Sequence, residues 1–253
     1  MPFDIAAYLP PGVGPSTALG LLALSFAASL ITATFSLGGG TLMVAVLALV
    51  FPPAVVVPLH GGIQLGSNAG RALVQRDHIQ WGAVGWIALG AAIGTLAGGQ
   101  FASLLPEHLF QVAIAVFVLA TTWLPQPQVV GRSRAVQVVG GAVISALGMV
   151  VGAVGPLVAI FLRALPDRRQ LVATHAALMT LQNVMKVAMF SALGFAFAAY
   201  LPLLAAMIAT GFAGTAIGSQ LLVKVPERAF RLGFRVILSI VALDLLRDAL
   251  FAG

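Results

Sequence analysis

The long stretches without a charged residue constrain this chain more than any other feature. No aspartate, glutamate, lysine or arginine occurs between Asp4 and Arg71, and none occurs between Lys186 and Lys224. Each stretch can hold at least one of the ~20-residue apolar helices that a bilayer requires. Only 8% of the 253 residues are charged, whereas a soluble domain has about 25%. The chain is therefore predicted to be an all-α polytopic membrane protein.

The composition also excludes other classes of protein. The chain has no cysteine, so it is not a disulfide scaffold. Its net charge of +6 comes from few charges, without the basic patch that grips nucleic acid, so we expect no nucleic-acid partner. The apolar runs lack two-residue alternation and are too long for the strands of a membrane barrel.

The apolar runs predict ten helical elements, of which two are short. Glycine-rich breaks at 38–40 and 152–156 precede the short elements. A polar stretch at 126–134 is predicted to be a cytoplasmic linker between a first transmembrane repeat, 1–125, and a second, 135–253, within one integral-membrane domain. The expected helices are about 17–35, 41–51, 55–74, 81–104, 109–124, 135–151, a short element ending at 165, 171–192, 201–223 and 230–250.

The two halves repeat their polar residues in the same order. His60, Asn68 and Arg71 recur about 115 residues later as a histidine, an asparagine and a lysine. Apolar matches mean little in such a chain, but this polar order indicates a duplication. Further pairs, about 120 residues apart, are Gly94-Thr95 with Gly214-Thr215, Gly98 with Gly218, Gln100 with Gln220, and Pro106-Glu107 with Pro226-Glu227.

The basic loops predict that the repeats are inverted. Short cytoplasmic loops are enriched in lysine and arginine, and here the basic loops alternate between the halves. Five helical elements per repeat, an odd number, produce that inversion and place both termini in the periplasm. Parallel repeats would instead require basic loops on both faces. The four loops lie at 71–76, 132–134, 163–169 and 224–231.

Each half presents a polar stripe on one face of a long helix. Such stripes normally face a bundle interior or an aqueous cavity. Both supply hydrogen-bond donors and a cation but no carboxylate, which favours a small oxyanion over a cation. The predicted binding residues are His60, Gln64, Ser67, Asn68 and Arg71 in the first stripe and His175, Gln182, Asn183 and Lys186 in the second.

The glycine-rich breaks could add donors to the same site. Helix N-termini carry unpaired N–H groups and attract anions, so Gly38, Gly39, Gly40 and Gly155 are further candidates. Other interpretations stay open. Glycines also allow helices to pack closely, Arg71 could extend to the membrane interface, and the histidines could bridge helices or relay protons.

The chain resembles the sulfite exporter TauE/SafE family in these segments. The resemblance covers nearly the whole chain and implies a permease for sulfite or organosulfonates in the bacterial inner membrane. Substrate identity does not follow from it. The segments are Ser36–Gly40, Pro58–His60 through Ser67–Arg71, His78–Trp81, and Gly155–Leu157 with Thr174-His175 through Lys186.

The sequence thus predicts a secondary transporter of small sulfur-containing anions, working by alternating access and linked to protons through His60 and His175. The alternatives are an anion channel and a carrier of another small oxyanion or a carboxylate. An enzyme is disfavoured, because no nucleophile, base and acid occur together. We expect a small anion and the lipid bilayer as partners, and no cofactor or metal; a homodimer is compatible with this architecture.

Overall fold

A computed structural model describes residues 9–35, 38–125, 133–162, 165, 167–221 and 227–251. Ten α-helices and two short 3-10 helices, Arg76–His78 and Phe197–Tyr200, make up the secondary structure of these residues. The all-helical prediction and its ten elements are confirmed. The helices are α1 (Pro15–Phe35), α2 (Gly39–Val50), α3 (Pro53–Val74), α4 (Trp81–Leu104), α5 (Glu107–Trp123), α6 (Arg134–Val151), α7 (Gly155–Leu162), α8 (Arg168–Ala192), α9 (Leu201–Leu221) and α10 (Glu227–Phe251).

Several helices can cross a membrane. α2 and α5 are shorter apolar helices, with 12 and 17 residues. α3 and α8 are long enough, with 22 and 25 residues, but each carries a polar stripe. Together they make a multi-pass membrane protein. The segments of the described helices that have both the length and the apolar character of a membrane span are Pro15–Ala33, Trp81–Leu104, Arg134–Val151 and Phe197–Gly218.

The closest helix pairs are α4 with α6 and α1 with α9. Glycines allow both approaches, because a Cβ atom at Gly94 would overlap the carbonyl of Ala142 and one at Gly214 would overlap the carbonyl of Phe26. Gly94 and Gly214 are matched residues of the two halves. The equivalent packing supports the duplication, which remains a prediction.

α3 and α8 pack against each other and run antiparallel. The end of α3, at Val74, lines the same pocket as Leu171 near the start of α8. Conversely, Ala54 at the start of α3 lines another pocket together with Phe190 near the end of α8. Antiparallel orientation of two matched helices is what inverted repeats require, and it supports that prediction.

The last helix, α10, carries an acidic residue, Asp244, on its outer surface. The side chain of Asp244 is 39% exposed, and its Oδ1 forms an ion pair with Nη2 of Arg247 at 2.8 Å. Arg247 also pairs with Asp248. Both ion pairs therefore lie outside the bundle interior.

Part of the predicted topology falls outside the described residues. Arg132, Arg163 and Lys224, which belong to three of the four basic loops, and residues 126–132 of the linker are among them. The remaining basic loop, at 71–76, is described. Its Arg76 is exposed and lies beside Asp77, with 3.8 Å between the two charged groups.

Candidate functional site

The two histidines each hold a glycine-rich break against a long helix. His60 on α3 donates from Nε2 to the carbonyl of Gly40 at 3.1 Å, and His175 on α8 does the same to Gly155 at 3.0 Å. Both pairs are separated by 20 residues. A carbonyl only accepts, so both rings must carry a proton on Nε2. The histidines are thus interhelical hydrogen-bond partners, one of the interpretations that the sequence left open.

A small central cavity lies between the N-termini of α2 and α7. Its volume is about 40 Å³, enough for roughly three water-sized molecules. The N–H groups that begin both helices give this region a partial positive charge. The residues that line the central cavity are Thr32, Gly38, Gly40, Thr41, Gln64, Asn68, Arg71, Ala153, Gly155, Pro156, His175 and Met179.

Arg71 is the charged group of the central cavity. Its guanidinium makes no hydrogen bond or ion pair within the part of the chain that the structure describes. It is close enough to His175 for an electrostatic interaction. The amide nitrogen of Asn68 donates to the backbone carbonyl of Gln64 at 2.8 Å, so that nitrogen is already engaged within α3. An anion in the cavity would therefore find a cation without a competing partner.

A wider pocket, the first vestibule, adjoins the central cavity at the end of α3. It has a volume of about 390 Å³ and shares Arg71 and His175 with the central cavity. Ser67 of the predicted stripe contributes to its wall, and most of the remaining wall is apolar. That remaining wall consists of Thr32, Ala33, Gly70, Val74, Gln75, Ala159, Leu171, Val172, Phe212, Thr215 and Ala216.

Gly39 packs α2 against α1, where an added Cβ would overlap the carbonyl of Ala28. The remaining predicted residues form a second group, the closed cluster, defined by His60, Gln182, Asn183 and Lys186. All four are buried and none lines the central cavity. The ammonium of Lys186 donates to the carbonyl of Gly152 at 2.7 Å. The structure thus places the predicted polar residues in two groups: one lines the central cavity or the first vestibule, and the other is the closed cluster.

Polar atoms in the closed cluster lack partners. Among the described residues, neither the amide nitrogen nor the amide oxygen of Asn183 has a hydrogen-bond partner, and neither does Nδ1 of His60. The amide nitrogen of Gln182 donates to Ser145 Oγ at 3.0 Å, but its oxygen accepts nothing. Each buried polar group without a partner costs about 1–3 kcal/mol, so this cluster is not a structurally saturated network.

Gly152 and Ser145 are functional candidates that sequence reasoning missed. Gly152 ends α6 at φ 78°, a conformation that favours glycine, and its carbonyl meets Lys186. It fell within the predicted break, but no pattern singled out its carbonyl. Ser145 gave no signal, because a serine in an apolar helix most often bonds within its own helix.

A second vestibule lies at the opposite end of α8, beyond the closed cluster. It is also about 390 Å³ in volume. Phe190, one helical turn after Lys186, lines it, and Glu107 contributes a carboxylate. Its other lining residues are Pro52, Ala54, Ala102, Ser103, Leu105, Phe110, Leu193, Gly194 and Phe195.

The comparisons with known proteins identify the family of the chain. The family model described as sulfite exporter TauE/SafE matches residues 21–245, which is most of the chain. No curated protein and no solved structure matches it. The matched region contains both glycine-rich breaks, both histidines and both buried cations. This chain therefore belongs to the sulfite exporter TauE/SafE family, whose members are membrane transporters of sulfur-containing anions and not enzymes.

Proposed function

We propose that the protein is a secondary transporter that carries sulfite or a small organosulfonate across the bacterial inner membrane by alternating access. One observation carries the proposal: the guanidinium of Arg71, which has no hydrogen-bond or ion-pair partner among the described residues, lies in a cavity between two helix N-termini. No carboxylate lines that cavity or the first vestibule among the described residues. Such a set of donors suits an oxyanion.

The sizes of the spaces favour an anionic head group with room for a short tail. The central cavity, at about 40 Å³, fits only a small polar group. The first vestibule adds about 390 Å³. It shares Arg71 with the central cavity, and the rest of its wall is largely apolar. A sulfonate could therefore place its head group at Arg71 and an apolar tail against Leu171 and Phe212. Sulfite would use the cavity alone.

Two features support alternating access. The Arg71 half of the polar cluster is open to a vestibule, whereas the Lys186 half is closed. A second vestibule lies beyond the closed half, at the other end of α8. Transporters with inverted repeats exchange such open and closed halves by moving one bundle against another around a fixed site.

Thermal stability of the purified protein with added anions tests the proposal. The screen compares sulfite, methanesulfonate, sulfate, thiosulfate and acetate. At 100 times its Kd a ligand adds about 2.7 kcal/mol, which raises the Tm by roughly 5 °C or more in a chain of this length. We expect sulfite or methanesulfonate to give the largest rise in Tm. Arg71→Gln should lower the apparent affinity for that anion at least tenfold.

Arg76→Gln is the matched control, because Arg76 is exposed and lies outside both pockets. It should keep the wild-type response. If no anion raises the Tm, or if Arg71→Gln responds as the wild type does, the anion site is wrong. A larger response to acetate would favour a carboxylate carrier. Single-channel currents from the reconstituted protein would favour the alternative, an anion channel, over a carrier.

A further inference from the structure

The closed cluster contains a buried cation without an anionic partner. Lys186 is 3% exposed, and its described partner is one neutral carbonyl, that of Gly152. The ion pairs among the described residues involve Arg76 and Arg247, not Lys186. A buried ammonium has three donors and is expensive to desolvate without a counter-charge, so an anion at this position would be strongly favoured.

The neighbours of Lys186 supply further unsatisfied groups. Asn183, which is fully buried, leaves its amide donor and acceptor unpartnered one turn before Lys186. His60 is also fully buried and interacts electrostatically with Lys186, as His175 does with Arg71 in the open half. The two halves therefore contain the same histidine–cation pair, each made across the α3–α8 contact.

The two halves differ in what each cation meets. Arg71 faces the central cavity and the first vestibule, whereas the carbonyl of Gly152 occupies Lys186. Gly152 has φ 78°, and a side chain there would meet Val44 and His60. The backbone can therefore reach the ammonium only because this residue is glycine, and movement of the α6–α7 break would release it.

We propose that the closed cluster is a second binding site for the same small oxyanion, which it holds through Lys186 and Asn183 when the protein opens toward the second vestibule. The proposal rests on the proposed function. In the conformation described, the Gly152 carbonyl takes the place of the anion. Phe190, one turn beyond Lys186, lines the second vestibule.

Cysteine labelling can test the second site, because the natural chain has no cysteine. Ser145→Cys reports on the closed cluster through the bond of Ser145 to Gln182. Ser29→Cys is the matched reporter of the open half, since Ser29 lines a small pocket together with Ser67 and Arg71. Both substitutions are nearly isosteric. The probe is the membrane-impermeant anion 2-sulfonatoethyl methanethiosulfonate, applied to either face of oriented vesicles, with methanesulfonate as the protecting anion.

We expect the two cysteines to be labelled from opposite faces. Ser29→Cys should react from the face of the first vestibule and Ser145→Cys from the other face. Methanesulfonate should slow both reactions at least threefold. Lys186→Met should remove the protection of Ser145→Cys and leave that of Ser29→Cys, which also shows that the Lys186→Met protein is folded.

The outcomes separate this inference from the proposed function. If Ser145→Cys is inert from both faces, reacts from the same face as Ser29→Cys, or stays protected in Lys186→Met, there is no second site. Protection of Ser29→Cys would in that case leave the proposed function intact. If methanesulfonate protects neither cysteine, both the second site and the proposed anion site are wrong.

Discussion

At the scale of single residues, the histidines are predicted to position the helix breaks. His60→Ala removes the hydrogen bond to the carbonyl of Gly40, and His175→Ala removes the one to the carbonyl of Gly155. The loss of such a bond with its partner left buried costs about 1–3 kcal/mol. We therefore expect both variants to unfold at lower temperature than the wild type in detergent.

His108→Ala is the control, because His108 is exposed on α5 and surface substitutions usually change stability by less than about 0.5 kcal/mol. An unchanged Tm in both His60→Ala and His175→Ala would contradict the positioning role. A lower Tm in one variant alone would show that only one of the two glycine-rich breaks depends on its histidine.

The proton link depends on the other ring nitrogen of His175. Its Nε2 keeps its proton in the bond to Gly155, so Nδ1 is the atom that can gain or lose one. His175 lines the central cavity and the first vestibule, where a proton can reach it. We expect anion flux into proteoliposomes to depend on pH, because histidine is the side chain of this site that exchanges a proton most readily, and His175→Ala to abolish that dependence. A mutant that is active with the wild-type pH profile would remove His175 from the proton pathway.

Residue types predicted which two helices meet at the candidate site better than they predicted the contacts within it. The sequence singled out Arg71 and Lys186 as equivalent cations, and both lie in the helix pair that forms the site. It could not show that Lys186 meets the carbonyl of Gly152 while Arg71 faces a cavity. That difference is a property of the three-dimensional contacts, and two matched polar stripes contain no signal that says which half is closed.

At the scale of helices, close approach depends on glycines in α4 and α9. Gly94→Ala should force α4 away from α6, because the added Cβ overlaps the carbonyl of Ala142. Overpacking of this kind costs about 1–3 kcal/mol. Gly85→Ala, also in α4, is the control, since a Cβ there meets no atom within 4 Å. We expect a lower Tm for Gly94→Ala and an equal or higher Tm for Gly85→Ala.

Gly214→Ala extends the same test to the other half of the chain, where the added Cβ overlaps the carbonyl of Phe26. The duplication predicts that it destabilises the protein about as much as Gly94→Ala does. Destabilisation by Gly94→Ala alone would argue against equivalent packing. Equal stability of Gly94→Ala and Gly85→Ala would show that the α4–α6 contact can relax without cost.

Helix boundaries were predictable because charge, proline and glycine mark them. The expected helix at 81–104 is α4, and the short element expected at 41–51 is α2, two residues earlier at its start. The 3-10 helix Phe197–Tyr200 was not predicted. It is stabilised by aromatic packing, in which Phe195 stacks on Tyr200 at 5.3 Å between ring centroids, and such contacts leave no periodic signal in a short loop.

At the scale of the whole molecule, the antiparallel α3 and α8 restrict the topology. If the repeats are inverted, the vestibule at Val74 and Leu171 opens to one face of the membrane and the vestibule at Ala54 and Phe190 to the other. The exposed Arg76 lies just beyond the end of α3. Basic residues mark the cytoplasmic side, so the first vestibule is predicted to be cytoplasmic.

The same reasoning predicts that both termini are periplasmic, and single cysteines in the cysteine-free chain can test it. Ser16→Cys at the start of α1 and Phe251→Cys at the end of α10, both at exposed positions, should react with an impermeant maleimide from the periplasmic face of intact spheroplasts, whereas Gln75→Cys at the end of α3 should react only after lysis. Asp244 and Arg247 would then pair near the periplasmic interface, where water lowers the cost of their charges. Reaction of Ser16→Cys and Phe251→Cys at opposite faces would mean an odd number of crossings and would rule out five elements per inverted repeat. Reaction of Gln75→Cys before lysis, with the other two protected, would instead keep the inverted repeats and reverse the orientation, placing the Arg71 half of the site on the periplasmic side.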